Sequence, residues 1–531
     1  MKNYKTFILV LTVILSSYNL TGQRTSLPQE AEKAMLKATR YMVEKVSTNG
    51  GYVWHYLPDL SRRWGEMEAY KTMIWVQSPG TVSMGHLFLD TYRVTRDEYY
   101  YQAAEKTASA LIWGQSPEGG WNYVIDFAGD RSLKHWYNTI GKNGWRLEEF
   151  QHYYGNSTYD DDVTSNAARF LLRIYLEKLD PVWKPALDKA INFILESQYP
   201  TGGWPQRYPL KYDFSHHGNP DYTSYYTFND GVIGENVNFL IQCYLTLGEE
   251  RLLDPVRRGM HFYIISQDSS GGWGQQLDMN LQATGARTYE PKALLPRATY
   301  ENAMYLITFF RYTGDRKFLA RIPDAINWLE RVKLPENQTE GGKYTHSTFV
   351  EPGTNSPIYV HRKGSNVKYG YYYSDYDDKK LLGHYGGKSR MDIERLNQEY
   401  NRVKNMSPEE ATKDSPLKVE SFMGEGTPQQ FYSLNRSFFP LKIDDKQVKE
   451  IISSLDSENR WLTKHISISN PYIGEGQKKE ATDEFASTDV GDETDTSPFR
   501  DPSGQDYIST STYIRNMNIL MGYLQANRKK I

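Results

Sequence analysis

The stretch "SQYPTGGWPQRYPL", residues 197 to 210, decides the reading of the fold, because its first half recurs. "QSPEGGW" (115 to 121), "QYPTGGW" (198 to 204) and "QDSSGGW" (267 to 273) share Gln, then Gly-Gly-Trp at fixed offsets, and "TNGGYVW" near residue 50 is a weaker echo. Each copy follows a segment with apolar residues at spacings of three and four, such as "ALDKAINFILES", which predicts a helix. Further helices, "VTSNAARFLLRIYLEKL", "VIGENVNFLIQCYLTLG" and "ATYENAMYLITFFRYTG", lie between the copies. A helix pair recurring every 70 to 80 residues or so indicates an array in which each unit covers its neighbour's apolar face. Closed into a ring, such an array is an all-α fold, an α/α toroid with a cleft at one end. In this reading Gly-Gly relaxes the backbone at a helix end and the Trp packs back over the core.

The rest of the chain sets limits on the function. Residues 1 to 22, with Lys2, Lys5 and the apolar "FILVLTVIL", read as a secretory signal, and no Cys at its end suggests a lipid anchor. Beyond it no uninterrupted apolar run approaches the roughly 20 residues of a membrane span, so an exported, secreted or periplasmic product without a membrane partner is expected. The single cysteine, Cys243, leaves no disulfide to form and reads as a buried thiol. A net charge of −3 gives no general attraction to nucleic acid, so a polyanionic ligand would need a local basic cluster. The 42 Tyr and 12 Trp suit surfaces that meet sugars or half-buried packing. Residues 23 to 405 carry the toroid pattern. Residues 406 to 531 read as a loop-rich C-terminal addition whose closing helix, "TSTYIRNMNILMGYLQANRKK", completes the helical body.

Three polar clusters interrupt the helices. Asp160, Asp161 and Asp162 open one helix, and Asn229 and Asp230 open another. The ordinary reading of each is an N-cap. Three adjacent carboxylates nevertheless repel, and they call for a cation or a base nearby. The third cluster is basic: Arg287, Lys292 and Arg297, with Arg362 and Lys363 further on. Phosphate-cradling loops, HExxH, paired CxxC and GxSxG are absent from the sequence, leaving phosphoryl transfer, zinc hydrolysis and serine esterase chemistry without support.

Four blocks in order, "YDDDVTSNAARFLLRIY", "QYPTGGWPQRYPL…TFNDG", "GGWGQQLDMNLQATGARTYEPKAL" and "EPGTNSPIYVHRKGSNVKY", resemble the family-10 polysaccharide lyases, pectate lyases on a helical toroid. They span roughly residues 40 to 405. The resemblance implies β-elimination at a uronic acid of an anionic polysaccharide; the sequence itself does not fix the oligomeric state, and a monomer is the expectation. The resemblance further implies Arg287 as the base, with Arg297 as the fallback, and calcium on Asp160, Asp161 and Asp230. Arg362 would hold a substrate carboxylate, with Lys363 and Arg297 in the substrate set. An arginine base requires a site that lowers its proton affinity, such as neighbouring cations. "PQRYPL", unique to the second copy, is expected to form a rigid wall positioning Asp230 and offering Trp204, Arg207 and Tyr208 to sugar. The family pattern has Asp-Asn-Asp-Ala-Thr where this chain has Asp160-Asp161-Asp162-Val163-Thr164, an added negative charge. Polygalacturonate is the substrate by resemblance, with a glucuronate polymer such as ulvan beside it. A hydrolase using Asp160 and Asp230 and a non-catalytic glycan binder are the rival classes.

Overall fold

The repeated turn has one geometry wherever it occurs. The computed structural model describes residues 26–143, 148–211, 221–363, 371–379, 381, 386–418, 443–464, 466 and 505–528. In the second copy Gly202 N–H donates to Tyr199 O at 2.8 Å and Tyr199 N–H to Gly203 O at 2.9 Å. Gly202 has φ +104°, a conformation that side chains with a Cβ avoid. Trp204 is fully buried, and its indole N–H donates to Ile194 O, ten residues back in the preceding helix, at 2.8 Å. Gln198 Nε2 bonds both Gly202 O and Pro255 O at 3.0 Å, so the glutamine ties its own turn to the next outer helix. Gln115 and Gln267 do the same with Ala186 O and Arg321 O. Trp121 and Trp273 likewise donate ten residues back.

The glycine is there because the next helix is. A Cβ on Gly202 would lie 2.1 Å from Arg258 O, and one on Gly119 2.3 Å from Lys189 O. Gly202→Ala therefore combines a left-handed φ with a backbone clash, and we expect it to destabilise the protein by roughly 2–4 kcal/mol in urea denaturation. A loss under about 0.5 kcal/mol would show that the turn is not packed as described.

Fifteen helices carry the fold among the described residues. Outer helices α1 (Leu27–Tyr41), α3 (Glu98–Trp113), α7 (Lys184–Ser197), α9 (Leu253–Ile265), α11 (Ile322–Arg331) and α14 (Asp445–Ser453) each pack against an inner one. The inner helices are α2 (Thr81–Thr95), α6 (Val163–Lys178), α8 (Val232–Leu247), α10 (Pro296–Thr313) and α15 (Thr510–Arg528). α15 packs on α2, α2 on α6 and α6 on α8, while Gly234 lets Tyr305 of α10 approach α8. α2, α6 and α8 are buried nearly all round, as inner helices must be. Cys243 is buried within α8. α4 (Asp130–Thr139) and α5 (Glu148–Gln151) lie in the connection from α3 to α6, whereas α12 (Ile393–Val403) and α13 (Pro408–Ala411) pack on α10. The architecture is an all-α, α/α toroid.

A further copy of the turn lies beyond residue 406, without its glycines. Trp461 Nε1 donates to Ile451 O, again ten residues back, at 3.0 Å. Asn459 takes the first glycine's place with φ +65°, a conformation Asn tolerates better than most residues. His55–Tyr56 pairs with Tyr507–Ser509, which pairs with Leu462–Thr463, so a small sheet joins the two chain ends. Strands are otherwise short, apart from the hairpin of Pro357–Lys363 and Tyr371–Asp375. Ile358 and Val360 of that hairpin share a minor core with Tyr289 and Leu295. No helix is long and apolar enough to cross a membrane among the described residues, and the expected secretory signal at 1 to 22 lies outside them.

Candidate active site

Two inner helices begin in the same unusual way. Ser157–Thr158 pairs with Arg207–Tyr208, and Tyr226–Thr227 with Gln276–Leu277. Each strand then runs through one residue into a tight turn, Asp160–Asp162 before α6 and Asn229–Gly231 before α8. Asp161 (φ 48°) and Asp230 (φ 49°) are left-handed, as are Asp162 and Gly231 which follow them. Neither helix start receives a side-chain capping bond. The N-cap reading of these aspartates is thereby corrected: the left-handed turn carries the carboxylates away from the free N–H groups. Strained non-glycine residues of this kind persist where their surroundings hold them.

The two turns abut, since a Cβ on Gly231 would stand 3.9 Å from Asp162 Oδ1. They form the floor of a cleft of about 610 Å³ lined by Gln77, Asp161, Asp162, Asp230, Gln275 and Arg297, among others. Gln77 Nε2 donates to Asp161 Oδ2 at 2.6 Å. Asp160 is fully buried and accepts from the Tyr123 hydroxyl.

Arg287 is buried beside this floor. Its Nε and Nη2 donate to Glu290 Oε2 and Oε1 at 3.0 and 3.2 Å. Its Nη1 lies 3.5 Å from Glu149 Oε2 and 3.9 Å from Asp160 Oδ2. Glu148, next to Glu149 on α5, accepts from the Thr288 N–H and hydroxyl. The structure thus gathers Arg287, Asp160, Asp161 and Asp230, and adds Glu148, Glu149, Glu290, Gln275 and Tyr123, which the sequence alone did not single out. "YEP" after the arginine was the one available signal for Glu290.

The electrostatics follow from crowding. Burial, then repulsion from Asp160 and Glu66, holds the Asp161 carboxyl well above the usual range. Asp230 is raised as well, first by the protein atoms around it and then by Asp161 and Asp160. Because solvent reaches Asp230 through the cleft, the repulsion is the part that matters. Asp162 is pushed up to about 7 by burial and Glu235. Glu148 also rises to about 7, through burial, with the Thr288 bonds and Arg287 pulling it back. A carboxyl raised in the fold binds its proton more tightly there than when unfolded. Its stabilising effect is full below about pH 4.5 and is lost as pH climbs to about 7. Glu148→Gln is expected to flatten that part of the stability curve, measured by thermal unfolding across it. An unchanged curve would remove Glu148 from this balance.

An oxygen-only set with excess negative charge suits a hard cation such as calcium. No hydrogen-bond donor reaches the buried Asp160 Oδ1, and the Asp160–Asp230 contact needs a proton or a cation to be favourable. Among the described residues, however, no three His, Cys, Asp or Glu side chains are grouped so as to hold a metal unaided. Asp160, Asp161 and Asp230 would therefore be at most part of a calcium site.

The other sequence candidates scatter. Arg297 lines the cleft, bonded to Glu301 at 2.9 Å with its side chain 78% exposed. Trp204 cannot stack on sugar: it is fully buried and its N–H is used inside the fold. Arg207 is 2% exposed, enclosed by the rings of Tyr123 and Tyr154. Its approach to sugar is corrected to a buried packing position against those rings. Tyr208 is half-buried with its ring against Phe193. Arg362 and Lys363 have backbone positions opposite Tyr372 and Tyr371, but their side chains lie outside the described residues.

Among solved structures, the chain is similar to the family 10 polysaccharide lyase from Cellvibrio cellulosa. The identity is 17% over 51% of this chain and 82% of that one, with a TM-score of 0.35. A mutant of that lyase in complex with trigalacturonic acid gives 15% identity over 61% and 98%, with a TM-score of 0.39. The GH76 α-mannanase from Bacteroides thetaiotaomicron gives 9% over 96% and 98%, at 0.39. No curated protein matches. The pectic acid lyase family model matches residues 133–405. With that match spanning more than half of its length, the chain belongs to the pectic acid lyase family and is a polysaccharide lyase.

Proposed function

We propose that this lyase is exported and cleaves polygalacturonate by β-elimination at the Asp160–Asp161–Asp230–Arg287 site. The observation that carries the reading is the convergence of a buried arginine and three carboxylates on two matching left-handed turns beneath a cleft. The exposed Arg297 holds a uronate carboxylate in a charge-assisted pair. Arg362 and Lys363 join the substrate set by resemblance alone, their side chains lying outside the described residues. Arg287 takes the C5 proton, and the C5–H electron pair becomes the C4–C5 double bond. The C4–O bond breaks with its electrons on the leaving oxygen, which takes a proton from water.

Glu290, Glu149 and Asp160 favour the charged form of Arg287, so turnover is expected to rise towards alkaline pH. Bound calcium would neutralise the aspartates and the substrate carboxylate, restoring the cationic surroundings that an arginine base needs.

The test is a panel of polygalacturonate, ulvan and alginate, with and without a calcium chelator, read by the ultraviolet absorbance of unsaturated products. Calorimetric titration of the protein with calcium runs alongside. Polygalacturonate cleavage lost on chelation is the expected result. Cleavage of ulvan alone would move the substrate to glucuronate polymers. Unchanged activity in chelator, with no calcium heat, would remove calcium and leave the basic residues to neutralise the substrate.

A further inference from the structure

One carboxylate connects parts of the site that the reaction needs in register. The two oxygens of Glu290 accept the Arg287 backbone N–H at 2.9 Å, Nε at 3.0 Å and Nη2 at 3.2 Å. Oε1 also accepts Gln275 Nε2 at 2.8 Å. Gln275 lines the cleft, and its carbonyl accepts the N–H groups of Phe228 and Asn229 at 2.8 and 3.1 Å. Those two residues lead into the left-handed Asp230. Glu290 thus links the arginine directly, and the Asp230 turn through Gln275, while itself only 3% exposed.

We propose that Glu290 is a positioning residue of the elimination site, an inference that rests on the role given to Arg287 above. By occupying the Nε–Nη2 edge in a bidentate pair, Glu290 leaves the Nη1 edge turned toward Asp160 and Glu149. By holding Gln275, it fixes the distance between that edge and Asp230. A displacement of about 1 Å in such a register is enough to cost roughly 100-fold in rate.

Glu290→Gln keeps the side chain's size but removes its charge and one acceptor. It is expected to lower kcat roughly 100-fold on polygalacturonate while KM stays within about threefold. Gln275→Ala, which frees only the Asp230 turn, should lower kcat about tenfold, and the double variant should lose less than the product of the two. A readout independent of turnover comes from nitrogen-15 spectra of labelled arginine. A slowly exchanging Arg287 Nε–H is expected in the wild type and in Gln275→Ala, and its loss is expected in Glu290→Gln. An active wild type with Glu290→Gln within about threefold of its kcat, or with that N–H unchanged, overturns the inference. A wild type yielding only saturated products overturns the lyase reading instead, so the two failures are distinguishable.

Discussion

Arg287→Lys is expected to lower kcat by about 10³-fold while leaving the protein folded. Lysine keeps the positive charge that Glu290, Glu149 and Asp160 require. It cannot reproduce the planar two-bond contact with Glu290, nor present a second nitrogen toward Asp160 at the same time. The lysine variant is more informative than alanine, because removing the guanidinium would leave buried carboxylates uncompensated, at about 3–5 kcal/mol. Circular dichroism and the thermal midpoint should stay close to wild type as turnover falls. If Arg287→Lys retains activity within about tenfold, the arginine is an electrostatic support and proton abstraction belongs to another group.

Trp204→Ala should give the largest loss of stability among single substitutions in the repeated turns, about 3–5 kcal/mol by urea denaturation. The indole is fully buried, bonds Ile194 O, and lies against the position where a Cβ on Gly259 would be. Truncation removes that bond and leaves a cavity where an outer helix, a turn and α9 meet. Trp113, 55% exposed, is the matched control, and its alanine variant should fall within about 0.5 kcal/mol of wild type. Equal effects at the two positions would mean that the turn does not hold the units together.

The helical toroid was legible because its signal is local. Gln, Gly-Gly and Trp sit within one short turn and each answers a constraint: a bond to the next helix, a left-handed φ that Gly takes most easily, and an anchor ten positions back. The turn at Trp461 escaped notice because Asn459 satisfies the same backbone requirement without glycine. The aspartates were visible as a cluster. Their separation from the helix starts was not, since it depends on a left-handed turn that "DDD" and "NDG" do not announce. Glu148, Glu149 and Glu290 are ordinary glutamates in sequence. They acquire meaning only when packing sets α5 against the Arg287 loop. Trp204 and Arg207 misled for the opposite reason, because a residue type suited to sugar is equally suited to a core.

The most direct measurement is the ultraviolet absorbance of products released from polygalacturonate with calcium by the wild type and by Arg287→Lys. A steady rise for the wild type and almost none for the variant is the expected result. Saturated products from the wild type, or equal rates from the two proteins, would contradict elimination at this arginine.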